Sequence, residues 1–193
     1  DHIGVVFNGR KKDMTEQKAG YAQDTKARTL SEVIEGADVF LGLSAGGILT
    51  PEMVKSMADK PFIMALANPD PEILPEDAKK GNPDAVIATG RSDFRNQVNG
   101  VVGFPFIFRG VLDVGATTIH EEMKMAAVNA MPVLAMGDSS GLVAQAYGGE
   151  NLTFGPDYLI PKPFDLRLIM EIAPAVARAA MESGVATRPI EDF

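Results

Sequence analysis

Three short apolar runs closed by turn-forming residues set the rhythm of the first half of the chain: Val39-Phe40-Leu41-Gly42-Leu43, Phe62-Ile63-Met64-Ala65-Leu66-Ala67 and Ala85-Val86-Ile87-Ala88-Thr89. Their length and lack of polar alternation predict buried strands covered on both faces. The run Ile3-Gly4-Val5-Val6-Phe7 is also strand-like. Helix-length segments lie between the strands. Thr50-Pro51-Glu52-Met53 supplies an N-cap and a proline at the first helical position, with Met53, Val54 and Met57 as an apolar face. Thr29-Leu30-Ser31-Glu32-Val33-Ile34 opens another helix that ends near Gly36. Strand and helix in alternation imply parallel pairing with right-handed crossovers, hence an α/β fold with a doubly wound, Rossmann-like parallel sheet.

After Thr89 the pattern lengthens. Phe104 to Val114, Thr117 to Met136 and Asp165 to Ser183 carry helical spacing, the last with Leu168, Ile172, Val176 and Ala179-Ala180 on one side. Asp165 is the expected N-cap of that helix and Gly184 its stop, while Pro174 is placed to kink it. Gly148-Gly149-Glu150-Asn151 and Phe154-Gly155-Pro156-Asp157 are loop chemistry. The expected organisation is one partial domain over residues 1–193, its sheet truncated at the amino-terminal side and followed by long helices, with 165–193 as the carboxyl-terminal helix and tail. The chain opens on Asp1 almost directly into an apolar run, as if begun in the middle of something.

Composition narrows the partners. With 46% hydrophobic residues in 193, there is apolar material for one sizeable core. A formal charge of −8, from 18 Lys+Arg against 26 Asp+Glu, leaves no broad basic surface for nucleic acid. The chain has no cysteine, which excludes disulfides and thiolate metal sites and fits a cytoplasmic location. No apolar run has the roughly 18 to 20 residues of a membrane helix, so a membrane is not expected as a partner either.

Ligands of an open parallel sheet bind beyond the carboxyl ends of its strands, so the residues after each strand are the first place to look for chemistry. The first strand is followed by Ser44-Ala45-Gly46-Gly47, small enough for a ribose or phosphate to approach the backbone, although from the tetrapeptide alone a tight strand-to-helix turn is the favoured account. The second is followed by Asn68-Pro69-Asp70-Pro71, an amide between stiffened positions or simply an Asn-Pro turn. The third is followed by Gly90-Arg91-Ser92-Asp93 and Asn96-Gln97-Val98-Asn99, richer in amides and charges than a solvated loop requires. The remaining candidates read as structural. His2 and His120 are isolated, Glu121-Glu122 diverge on a helix, and Arg10-Lys11-Lys12 is an exposed cluster or turn before it is a site for the extra phosphate of NADP. Met123, Met125, Met131 and Met136 are core filler, and Lys18 and Tyr21 lie beside a polar segment.

The stretch Gly90-Arg91-Ser92-Asp93-Phe94-Arg95-Asn96-Gln97-Val98-Asn99, continued by Phe104-Pro105-Phe106-Ile107-Phe108-Arg109-Gly110, resembles the signature of bacterial malic enzymes. The likeness extends through Leu49-Thr50-Pro51-Glu52-Met53, Ala67-Asn68-Pro69 and the run from Phe154 to Asp165, and so covers essentially the whole chain. It implies oxidative decarboxylation of L-malate to pyruvate and CO2, with hydride passing to NAD or NADP and Mg²⁺ or Mn²⁺ holding the substrate. By resemblance, Asn68 and Asn99 line the pocket and bind malate, Asn68 also meeting the nicotinamide end of the cofactor. Ser44, Ala45 and Gly46 run along the cofactor, and Asp1 accepts from its ribose 2′-OH. Gly100 stands where the family commonly has a second asparagine, so that side chain's role is lost or moved. The acid/base Tyr and Lys, the metal carboxylates and the glycine-rich turn of the family are expected upstream, in an amino-terminal malic domain and the opening of the cofactor domain. No catalytic or metal residue is therefore expected within this chain, and residues 1–193 alone are expected to be inactive. A homo-oligomer is implied as well. The end near Arg188-Pro189-Ile190 matches the point where two-part bacterial malic enzymes pass into a phosphotransacetylase-like domain. The competing expectation is a non-catalytic nucleotide-binding or oligomerisation module with a Rossmann-like remnant.

Overall fold

A computed structural model describes residues 1–137 and 152–192, divided into two compact units at Phe94 and Arg95. Gly148 to Asn151, expected as a loop, lie outside the described residues. In the first unit, helices α1 (Glu16–Gly20) and α2 (Leu30–Ile34) precede β1 (Val39–Gly42), then α3 (Pro51–Ser56), β2 (Phe62–Ala65), α4 (Pro75–Gly81) and β3 (Val86–Thr89) follow. The strands form a parallel sheet in the order β1-β2-β3, with Val39 opposite Phe62 and Phe62 opposite Val86. That is the Rossmann-like sheet expected from the apolar runs.

One face of the sheet is buried. Phe40, Ile63, Ala65 and Ile87 pack with Ile34 of α2, Val54 of α3 and Ala78 of α4. Coverage of both faces is corrected for β1, whose burial alternates: Val39 and Leu41 on the other face are 54% and 55% exposed, and Leu43 beyond the strand is 72% exposed. The apolar run was continuous, but only every second residue meets these helices. Two boundaries follow from capping. Thr50 Oγ1 accepts from Met53 N at 3.3 Å ahead of Pro51, and Pro75 starts α4 in the same first-turn position.

The expected strand at Ile3–Phe7 does not form. Gly4 has φ +121°, where a Cβ would overlap the Arg28 carbonyl, and the segment makes only an isolated bridge from Phe7 to Gln23 with Val5 N donating to Arg28 O at 3.0 Å. Glu32 closes the entry to α2: its carboxylate accepts from Arg28 N at 2.6 Å and Thr29 N at 2.8 Å. The bond from Arg28, then that from Thr29, hold Glu32 below the usual carboxylate range. A carboxyl whose folded pKa is depressed adds stability that is complete above its unfolded value and disappears as pH falls through the folded value. Glu32→Gln should therefore melt below the parent at neutral pH, and the gap should close on acidification below the ordinary carboxylate range. A gap independent of pH in thermal melts would contradict this account of the cap.

The second unit contains a 3-10 turn at Gly100–Val102 and the helices α5 (Phe104–Asp113), α6 (Glu121–Met136) and α7 (Arg167–Glu182). Its core joins Val111 and Val114 to Met123, Ala127 and Leu134 of α6 and Leu168, Ile172 and Val176 of α7. A Cβ at Gly110 would lie 2.5 Å from Ala173 O, so glycine is what lets α5 and α7 pack this closely. α6 begins at Glu121 rather than Thr117: Thr117 N is drawn to Val185 O at 3.1 Å, and His120 is an extended N-cap. α7 contains Pro174 and ends where Gly184 turns to φ +73°. Buried Asp165 lies one residue outside the cap position, accepting from Arg167 N at 3.0 Å and pairing with its guanidinium. No helix among the described residues is long and apolar enough to cross a membrane.

Candidate functional site

The parallel register sets the residues after Gly42, Ala65 and Thr89 side by side at one sheet edge. Ser44, Ala45 and Gly46 lie there exposed, as does Asn68, which is joined to Pro69 by a cis peptide bond. The loops touch through glycines. A Cβ on Gly46 would come within 2.8 Å of Asp70 Cβ and 2.9 Å of Asp70 O, and one on Gly90 within 2.8 Å of Asn68 Nδ2. Gly47, at φ +74°, donates its N–H to Pro71 O at 3.1 Å. Asn68 Nδ2 donates to Leu66 O at 3.4 Å, while the amide oxygen can only accept.

Sequence reasoning missed the residue that ties these loops together. Glu72 is fully buried; its Oε1 accepts from Ser44 N at 2.9 Å and its Oε2 from Ala67 N at 3.0 Å. Its main-chain oxygen accepts from Leu49 N at 3.0 Å. A Cβ on Gly42 would overlap this carboxyl group, so the strand must end in glycine to admit it. In the sequence Glu72 is one acidic residue after a Pro-Asp-Pro turn, and only its position beside buried Ile73 hints at burial. Arg91, just past β3, is held by Asp93 through bonds of 2.9 and 2.6 Å. This hydrogen bonding keeps Asp93 below the usual carboxylate range.

Asp1 belongs to a different cluster of the same unit. Its Oδ2 is 2.5 Å from Arg10 Nη2 and 2.8 Å from Lys18 Nζ, and its Oδ1 accepts from Ile3 N at 3.1 Å. Arg10 is corrected from an exposed charge to a buried one, with further bonds to Lys12 O at 2.9 Å and Val5 O at 3.0 Å. Lys18, whose beginnings in a polar segment suggested little, bridges Asp1 and Asp13. Asp1, His2 and Asp13 also form the group among the described residues whose ligand atoms are close enough for a metal ion. They do not fit a divalent metal: the Lys18 ammonium already lies 2.5 Å from Asp13 Oδ2.

Asn99 lies in the second unit, half-buried at the N-cap of the 3-10 turn, where its Oδ1 accepts from Val101 N at 3.1 Å. The carbonyl end is thereby used, and the NH2 end is the one available to an anion. Asn99 also lines a cavity of about 420 Å³ whose other walls include Val102, Phe104, Met131, Leu159 and Pro161. The loop before it is fixed by Asn96, buried at φ +50°, whose Nδ2 donates to Pro156 O at 2.7 Å while Oδ1 accepts from Leu159 N at 2.8 Å. In the sequence Asn96 is one member of an amide-rich run, and asparagine's tolerance of positive φ is what suits it to this position.

A parallel sheet whose carboxyl-end loops are brought together by glycines that leave no room for a Cβ is a Rossmann-like architecture, the class of fold whose ligands bind beyond the strand ends. The sequence matches the family described as "Malic enzyme, NAD binding domain" over residues 1–141. The chain belongs to that family. It is 64% identical over its full length to an NADP-dependent malic enzyme of Salmonella typhimurium, of which it covers 26%. It is equally 64% identical, again over all of its length, to an NAD-dependent malic enzyme of Rhizobium meliloti, of which it covers 25%. Among solved structures, the malic enzyme of Entamoeba histolytica is similar with a TM-score of 0.77 at 34% identity, across 98% of this chain and 38% of that one. The chain thus spans about a quarter of the length of the curated relatives it matches.

Proposed function

We propose that this chain serves as the cofactor-binding domain of a longer malic enzyme that oxidatively decarboxylates L-malate to pyruvate and CO2. The observation that carries the reading is the set of glycine-joined loops at the sheet edge, within a chain so similar to malic enzymes. A bound NAD or NADP supplies the hydride acceptor. Ser44, Ala45 and Gly46 offer exposed backbone along which it lies, and Asp1 is the ribose-side carboxylate, already charge-balanced by Arg10 and Lys18. Such balancing suits a ribose carrying a hydroxyl or a phosphate, in keeping with relatives named for either cofactor.

Asn68 and Asn99 act as positioners. A carboxamide does not titrate, so it orients a hydroxy acid without adding charge beside the substrate's carboxylates. Asn68 offers an acceptor and Asn99 a donor. Proton transfer and metal binding are assigned to residues outside this chain, and the assembled enzyme is taken to be a cytoplasmic, metal-dependent homo-oligomer.

The test compares residues 1–193 with the full reading frame that contains them, following malate-dependent NAD(P)H formation with Mn²⁺. Turnover is expected from the longer protein alone, because positioned acid/base and metal groups supply several decades of rate. Measurable turnover by residues 1–193 would overturn the division of labour. A longer protein that binds NAD(P)H without oxidising malate would favour the non-catalytic nucleotide module.

A further inference from the structure

We propose that Glu72 is a positioning residue that holds the cofactor loop and the substrate loop in register through one buried carboxylate. The proposal rests on the reading above that Ser44–Gly46 and Asn68 meet cofactor and substrate. Ser44 N and Ala67 N lie just past the ends of β1 and β2, where the sheet ladder no longer satisfies them. Glu72 accepts from both, one per oxygen, and so fixes Ser44 directly and Asn68 through its immediate neighbour.

The choice of a carboxylate is informative. Among the described residues no cation pairs with Glu72, although it is fully buried. Burying a polar group is costly unless it is hydrogen-bonded, and both side-chain oxygens of Glu72 are. A carboxylate gives two equivalent acceptors at fixed separation, which a neutral amide cannot, since its NH2 end would face one of the two N–H donors. Gly42 is shaped to the same purpose, because any side chain there would displace the carboxyl group. The third tie, Leu49 N to Glu72 O, anchors the clamp to the entry of α3.

Glu72→Gln in the full-length enzyme keeps the volume and one acceptor while losing the second. NAD(P)H affinity, measured by fluorescence titration without malate and well below the melting temperature, should weaken about tenfold, the scale of one lost buried hydrogen bond. kcat should fall at saturating cofactor and malate, because Asn68 is released together with Ser44. Gly42→Ala is the second variant: it disturbs the carboxylate without removing it and should weaken NAD(P)H in the same direction. Parent-like affinity and kcat in a folded Glu72→Gln protein, whatever its melting temperature, would overturn the proposal. If that variant does not fold, parent-like affinity in Gly42→Ala overturns it instead. Failure of the parent enzyme itself to bind NAD(P)H would instead refute the underlying assignment of these loops.

Discussion

Asn99→Ala in the full-length enzyme is expected to lower kcat/KM for malate by roughly tenfold to a hundredfold or more, the equivalent of about 1.5 to 3 kcal/mol for a charge-assisted hydrogen bond left unmade. Oδ1 is engaged by Val101 N at 3.1 Å, so on the proposed reading the NH2 group is the donor to a substrate carboxylate. Asn99→Asp separates this role from capping: it retains the acceptor for Val101 N but replaces the donor with negative charge. It should therefore impair malate turnover more than Ala does while preserving the 3-10 turn. NAD(P)H affinity without malate should change little in either variant. Unaltered malate kinetics, or equal damage to cofactor binding, would remove Asn99 from the substrate site.

Gly46→Val should do the reverse. A Cβ at this position would lie 2.8 Å from Asp70 Cβ and 2.9 Å from Asp70 O, closer than packed atoms tolerate. Neither neighbour is a flexible side-chain end, so the contact between the Ser44–Gly46 loop and the Asp70 turn must open. A displacement costing about 1 to 3 kcal/mol of overpacking weakens NAD(P)H about fivefold to a hundredfold if the loop must return to bind it. Gly46→Ala should lie between parent and Val. Titration of NAD(P)H against the folded variants decides the matter, and parent-like affinity in Gly46→Val would show that the cofactor does not run along this loop.

Much of the fold was legible because its signals are local. The three strands announced themselves as apolar runs between turn residues, and α3 by Thr50 and Pro51. What was not legible depends on partners distant in the chain. Ile3–Phe7 has strand-like residues, but Gly4 is shaped by the Arg28 carbonyl. The start of α6 is set by Thr117 pairing with Val185, far along the sequence. The same division applies to the candidate site. Strand ends locate Ser44 and Asn68 from topology alone, whereas the burial of Glu72 and Arg10 and the bonds of Asn96 to 156–159 arise only from tertiary packing.

The open side of β1 has a colloidal consequence. Among the described residues this strand pairs only with β2, and it displays Val39 and Leu41 to solvent, as does Leu43 just beyond it. An apolar strand with a free edge is a template for another copy of itself. At neutral pH the formal charge of −8 keeps separate molecules apart. Near the sequence isoelectric point of about 4.8 that repulsion vanishes, and high salt screens it at any pH. Residues 1–193 handled alone should therefore self-associate on mild acidification before the helical core of the second unit melts, with strand edges rather than unfolded chains as the seeds.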